Sequence, residues 1–221
     1  MSYYIGLSIL SNGEKGHKKL LSAEARRILS LLEGGRREIA IDEHGRPFFP
    51  GVEVDFNISH CRYIAAVSLV RGEALRTGCD IEMIRPRAMI GEISETYFSA
   101  AERDFIFSQD KLSEERFYKI WTLKECFLKL NGLSVFDMFS CPSFISDEGQ
   151  LSFCAAVSSP LSFRLYELTD ENGEHFILAS AIEGEQREPE IQWFSQLSLT
   201  CKMTAEINAA PNPADTVRPK I

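Results

Sequence analysis

No stretch of the 221-residue chain reaches the roughly 18 apolar residues that a membrane-spanning helix needs. The opening segment, MSYYIGLSIL, lacks the charged start, long apolar run and small-residue cleavage site of a secretion signal and reads as a strand, so the expected location is the cytoplasm. No C-x-x-C pair is present. Cys61, Cys79, Cys126, Cys141, Cys154 and Cys201 stand apart, which suggests no zinc site and points to reduced thiols, several of them buried, rather than a disulfide framework. Positive charge is also short: 24 Lys and Arg against 32 Asp and Glu leave a net charge of −8. That argues against a nucleic-acid or anionic-membrane partner, while a local basic patch can still hold a small phosphate. What remains, 44% hydrophobic and 25% charged residues, is an ordinary globular composition with enough material for one large domain or two small packed ones.

The apolar pattern predicts the elements. Residues 3–10 read as a strand, and Ala25, Ile28, Leu29 and Leu32 fall at helical spacing between a Ser22 N-cap and a Gly34-Gly35 stop. Gly45-Arg46-Pro47 marks a turn; residues 54–59, 63–70 and 78–82 read as strands. Residues 99–108 and 114–131 are helical by pattern, the first opened by a Ser99–Glu102 capping box, the second carrying Phe117, Ile120, Trp121 and Leu128 on one side and ended by Gly132. Strands return at 151–157, 161–169 and 175–182, with Asn172-Gly173 as a hairpin turn. After Arg187, prolines at 189, 211, 213 and 219 and the loss of periodicity predict disorder from about residue 205, with Ile191, Trp193, Phe194 and Leu197 available to dock a short element. The expected class is α+β, in two halves (1–90 and 91–186) followed by a partly disordered tail (187–221).

Three segments carry chemistry. Asp80 and Glu82 flank Ile81; two apart in a strand, both carboxylates share a face, and their repulsion calls for a hard cation such as Mg²⁺ or for bulk water. Glu125 and Lys129, four apart on a helix, point together with Trp121 one turn earlier; a carboxylate there can hold a metal or take a proton, and the ammonium can hold a phosphate oxygen. In Asp55-Phe56-Asn57-Ile58-Ser59-His60, apolar and polar residues alternate and leave His60 at a strand end, next to Arg62. Singly, each is more often an ordinary surface feature than a site.

Taken in order, F-N-I-S-H, then G-C-D-I-E, then W-T-L-K-E-x-x-x-K, over residues 45–132, resemble the signature of the 4′-phosphopantetheinyl transferases, and specifically the larger, pseudo-dimeric type that activates nonribosomal peptide and polyketide synthases. The resemblance implies two similar α/β halves about a pseudo-two-fold axis, a monomer, and transfer of 4′-phosphopantetheine from coenzyme A to a serine of an apo acyl or peptidyl carrier protein, with Mg²⁺ as cofactor and 3′,5′-ADP as leaving group. It implies Asp80, Glu82 and Glu125 as metal ligands, Glu125 as the base directly or through a metal-bound water, and Lys129 as the phosphate-holding lysine. Contacts to coenzyme A fall to Arg26, Arg46, Pro47, Ser59, His60, Asp80 and Lys129, with Arg26 slightly favoured over Lys15, Lys18, Lys19 and Arg27 for the 3′-phosphate. Glu102 resembles an acidic residue close to the site. Cys126 stands where a Ser or Ala is more usual and implies sensitivity to oxidation or alkylation. Leu133, Val135, Phe136, Met138 and Phe139 either dock the carrier or pack under a loop. The carrier's pathway, fatty-acid, polyketide or nonribosomal-peptide, stays open, and a non-catalytic binding module or a metal-dependent phosphoesterase remain as alternatives.

Overall fold

A computed structural model describes residues 2–10, 18–108, 113–184, 187–195 and 199–209. Its centre is a pair of four-stranded sheets. In the first, the order is β11 (Glu190–Trp193), β1 (Ser2–Ile9), β5 (Ile64–Arg71), β4 (Val54–Cys61); β11 runs parallel to β1 and the other neighbours are antiparallel. In the second, the order is β12 (Thr200–Ala209), β9 (Leu161–Thr169), β10 (His175–Glu183), β6 (Arg76–Met83), antiparallel throughout. Two small hairpins, β2–β3 (Ala40–Ile41, Pro47–Phe48) and β7–β8 (Ser143–Ile145, Leu151–Cys154), complete the strands.

Alternation along the strands sorts the core into layers. Helix α1 (Lys18–Glu33) buries Leu21, Ala25, Ile28 and Leu29 against Phe56, Ala65, Val67 and Leu69 of the first sheet. The other face of that sheet, Ile5, Leu7, Ile64 and Ala66, shares a cluster with Ile81, Met83, Tyr166 and Leu178 of the second. Helix α4 (Glu114–Leu130) covers the far face of the second sheet, packing Phe117, Ile120 and Leu123 with Phe163, Leu165 and Ile177. Because β6 presents Ile81 to the inter-sheet core, period two sends Asp80 and Glu82 to the side on which α4 lies.

Several boundaries differ from the sequence pattern. Ser22 does not cap α1: the helix already runs from Lys18, and the Ser22 hydroxyl donates to the Lys18 carbonyl at 2.8 Å. Its C-terminus does stop as expected, with Gly34 at φ +80° and Gly35 N–H donating to the Ser30 carbonyl. The Ser99–Glu102 capping box opens α3 (Ala100–Ile106) in both directions. Helix α2 (Ile90–Tyr97), in the expected junction, is a further element; its start has no side-chain cap, which hides it from a capping pattern.

The tail departs most. Residues 205–209, expected to be disordered, belong to β12, which pairs along the whole of β9 with a bulge between Met203 and Ala205. Glu206 reaches Arg164 at 2.6 Å, while Ile207 and Ala209 alternate inward, so a polar sequence is held by β9's open backbone edge rather than by its own apolar content. Ile191 and Trp193 lie on β11, and Phe194 N–H donates to the Leu7 carbonyl, as the docking expectation foresaw; Leu197 and residues 210–221 lie outside the described residues.

Candidate active site

The site grows from the seam between the two sheets. β4 and β6 lie side by side in different sheets, and side chains of β4 stand in for a backbone ladder. Asp55 Oδ2 accepts from Thr77 N at 2.7 Å, Asn57 Oδ1 from Cys79 N at 3.3 Å, and Ser59 Oγ from Ile81 N at 3.3 Å. The polar residues of the alternating segment thus satisfy the outward N–H groups of β6 and lock its register. The sequence pattern gave the correct faces but did not reveal Asp55 and Asn57 as the seam, because their partners lie 22 residues away.

That register sets the acidic cluster. Ser59 Oγ donates to Asp80 Oδ1 at 2.8 Å, and Lys129 Nζ donates to the same oxygen at 2.6 Å and to Ser59 Oγ at 2.9 Å. Burial alone would lower the Lys129 pKa, but the Asp80 carboxylate outweighs it and holds the ammonium above the ordinary lysine range. Glu125, one helical turn before Lys129, is pushed up to about 7 by burial and by the Asp80 charge, with Lys129 opposing. Glu82 is raised by burial and by Asp80, and its Oε2 lies 3.7 Å from Cys61 Sγ. Gly78 makes this approach possible: a Cβ there would stand 2.6 Å from the Cys126 carbonyl oxygen, so only glycine lets α4 lie this close to β6.

These groups open into one cleft of about 470 Å³, lined by Ser59, His60, Asp80, Glu82, Glu125 and Lys129 together with Arg26, Gly45 and Pro47. Burial lowers the His60 pKa, and the nearby Lys129 and Lys18 charges add to this. Among the described residues, no three acidic, histidine or cysteine side chains are already drawn together as a metal-binding set. The donors nevertheless fit a hard divalent cation: Asp80 Oδ2 is buried without a hydrogen-bond partner, and the carboxyls of Glu82 and Glu125 are both raised by burial and by Asp80's charge. A cation between them would remove that repulsion.

Comparison with known proteins decides the family. Residues 76–180 match the 4′-phosphopantetheinyl transferase superfamily. The chain is 33% identical over 150 residues to the 4′-phosphopantetheinyl transferase AcpT of Escherichia coli, covering 63% of this chain and 75% of that protein. The chain belongs to the 4′-phosphopantetheinyl transferase superfamily. It is also 29% identical over 166 residues to the 4′-phosphopantetheinyl transferase Sfp of Bacillus subtilis, covering 70% of each, and 26% identical over 129 residues to HetI of Nostoc, covering 52% of this chain and 53% of that one.

Not every residue expected at a superfamily site lies in the cleft. Arg46 does not: its guanidinium is buried and donates to Asp55 Oδ2 at 2.6 Å, to the Thr77 carbonyl at 2.8 Å and to the Lys129 carbonyl. It clamps the β2–β3 turn onto the seam and onto the C-terminal end of α4, where a cation also suits the helix dipole. Glu102 is fully buried elsewhere, accepting from Phe144 N at 2.9 Å and pairing with Lys124 Nζ at 3.2 Å. This buried pair ties α3, α4 and β7 together; Lys124 was not singled out by the sequence, although it sits beside Glu125. Cys126 is fully buried and its thiol pKa is pushed well above the ordinary value by burial, so it is not the reactive thiol expected from its position. Of the basic candidates, Arg26 lines the cleft, Arg27 is bound to Glu24 and the Phe194 carbonyl, Lys18 and Lys19 are exposed at the start of α1, and Lys15 lies outside the described residues. In the apolar segment after α4, Leu133, Val135, Phe136 and Phe139 are exposed while Met138 is buried.

Proposed function

We propose that the chain transfers the 4′-phosphopantetheine arm of coenzyme A to a serine hydroxyl of an apo acyl or peptidyl carrier protein, releasing 3′,5′-ADP. The observation that carries this reading is the meeting of Asp80, Glu82, Glu125 and Lys129 in one cleft of a chain that belongs to this superfamily. Asp80, Glu82 and Glu125 are the residues that would hold Mg²⁺, and the ion when bound supplies charge neutralisation for the pyrophosphate.

The chain's own groups account for the rest. Glu125, as its carboxylate, accepts the serine proton as the serine oxygen bonds to the β-phosphorus and the bond to the bridging oxygen breaks, the electron pair leaving on 3′,5′-ADP. Lys129, kept protonated by Asp80, sets positive charge where the transferred phosphate gathers negative charge. Ser59 orients Asp80 and Lys129 together. His60 and Arg26 hold the nucleotide end, with Pro47 against it.

The finer assignments form part of the same proposal. The enzyme is of the larger type, with halves 1–90 and 91–186 related by a pseudo-two-fold axis; each sheet carrying one long helix on its outer face supports this. It acts as a cytoplasmic monomer on an acyl or peptidyl carrier. Mixing the protein with coenzyme A, Mg²⁺ and several apo carriers, then weighing the carriers, tests the reading. A gain of one phosphopantetheine arm is expected; free phosphopantetheine with unmodified carriers would instead establish a hydrolase, and no reaction on any carrier would establish a binding module.

A further inference from the structure

A second concavity, also of about 470 Å³, lies along α1 beyond the cleft. Gly34, at φ +80°, and Gly35 fold the chain back after the helix, so that Arg36 and Arg37 return beside Arg26, Arg27 and Ser30. Four guanidinium groups therefore gather on a protein of net charge −8. Two are neutralised: Arg27 by Glu24 at 2.7 Å and Arg37 by Glu33 at 2.5 Å. Arg26 and Arg36 have no acidic partner within salt-bridge distance among the described residues, while Leu29, Ile39 and Phe49 supply an apolar floor. With Arg26 committed to the cleft, the free Arg36 guanidinium beside this apolar floor suits an anion carried on a flat apolar body, because the planar fork matches phosphate oxygens and the floor removes the body from water. Arg26 and Ile39 line both concavities, so the two adjoin.

We propose that this concavity is a second binding site, for an organic phosphate on a flat apolar body, filled at the same time as the cleft. Its nearest natural ligand is 3′,5′-ADP, and that identity, though not the site itself, rests on the transfer reaction proposed above. A product lodged there would remain beside the cleft it left.

Calorimetric titration of the full chain tests this. Titrated with Mg²⁺ into the ligand-free protein, 3′,5′-ADP is expected to fill two sites, one in the cleft and one in this concavity. Arg36→Ala should weaken that site by about tenfold or more, the loss expected for a charge-assisted hydrogen bond. Ser30→Asp, which sets a carboxylate into the same concavity, should weaken it likewise. Both variants should keep the melting temperature, the coenzyme A affinity and the transfer to a carrier. A single site in total, or a second site indifferent to both substitutions, would overturn the proposal. Inorganic phosphate displacing the nucleotide at comparable concentration would overturn the apolar-body requirement and the assignment with it. Carrier mass is measured in parallel: transfer with only one nucleotide site sinks this inference alone, whereas no transfer sinks the proposed function and leaves the site count to stand or fall by itself.

Discussion

At the scale of single residues, Glu125 concentrates the chemistry. Glu125→Gln is expected to lower transfer by about 10²–10⁴-fold, the range of a lost general base, while circular dichroism stays unchanged. Its raised pKa also has a sign that can be checked. Glu125 titrates at about 7 in the folded protein, against the ordinary carboxyl value of 4.5 once unfolded, so the folded state binds the extra proton between those values. Its contribution to stability is fully present below the unfolded value and is lost as pH rises through about 7. The cation-free protein should therefore melt at a lower temperature at about pH 8 than at about pH 5.5, and Glu125→Gln should flatten that difference. Added Mg²⁺ should restore stability at the higher pH, since it binds the ionised form. A pH-independent melting temperature that Glu125→Gln leaves unchanged would show that the carboxyl is not strained by its neighbours.

At the scale of elements, the packing of α4 on β6 decides whether the carboxylates meet. Gly78→Ala would force a Cβ against the Cys126 carbonyl, and overpacking of this kind costs about 1–3 kcal/mol. Urea melts should show that loss, together with a shifted Mg²⁺ titration, because Glu125 moves away from Asp80. Arg46 separates a structural role from a ligand-binding one. Removing it by Arg46→Ala leaves Asp55 buried without its cation, a change of about 3–5 kcal/mol. The expected result is a large fall in melting temperature. An unaltered melting temperature with a raised KM for coenzyme A would return Arg46 to the cleft. The helices and strands were mostly legible from their periods, but α2 was not, because it is short and enters without a side-chain cap.

At the scale of the whole molecule, the tail closes the structure. β11 adds to the first sheet and β12 to the second, so one segment of chain covers an edge of each. Deleting residues 187–221 would open the edges of β1 and β9 to solvent and to other chains. A lower melting temperature and growing light scattering are expected; a truncated chain as stable and monodisperse as the full one would show the strands to be dispensable.

The sequence alone determined which side chains share a face. Periods of two and of about 3.6 placed Asp80 with Glu82 and Glu125 with Lys129, whatever surrounds them. Only the tertiary structure decided which charged residues enter the cleft. Arg26 does, whereas Arg46 and Glu102 turn inward to Asp55, the Thr77 and Lys129 carbonyls, Phe144 N and Lys124. Apart from Asp55, nine residues from Arg46, those partners are far away along the chain, and local periodicity carries no information about a contact that only the meeting of two sheets and α4 creates.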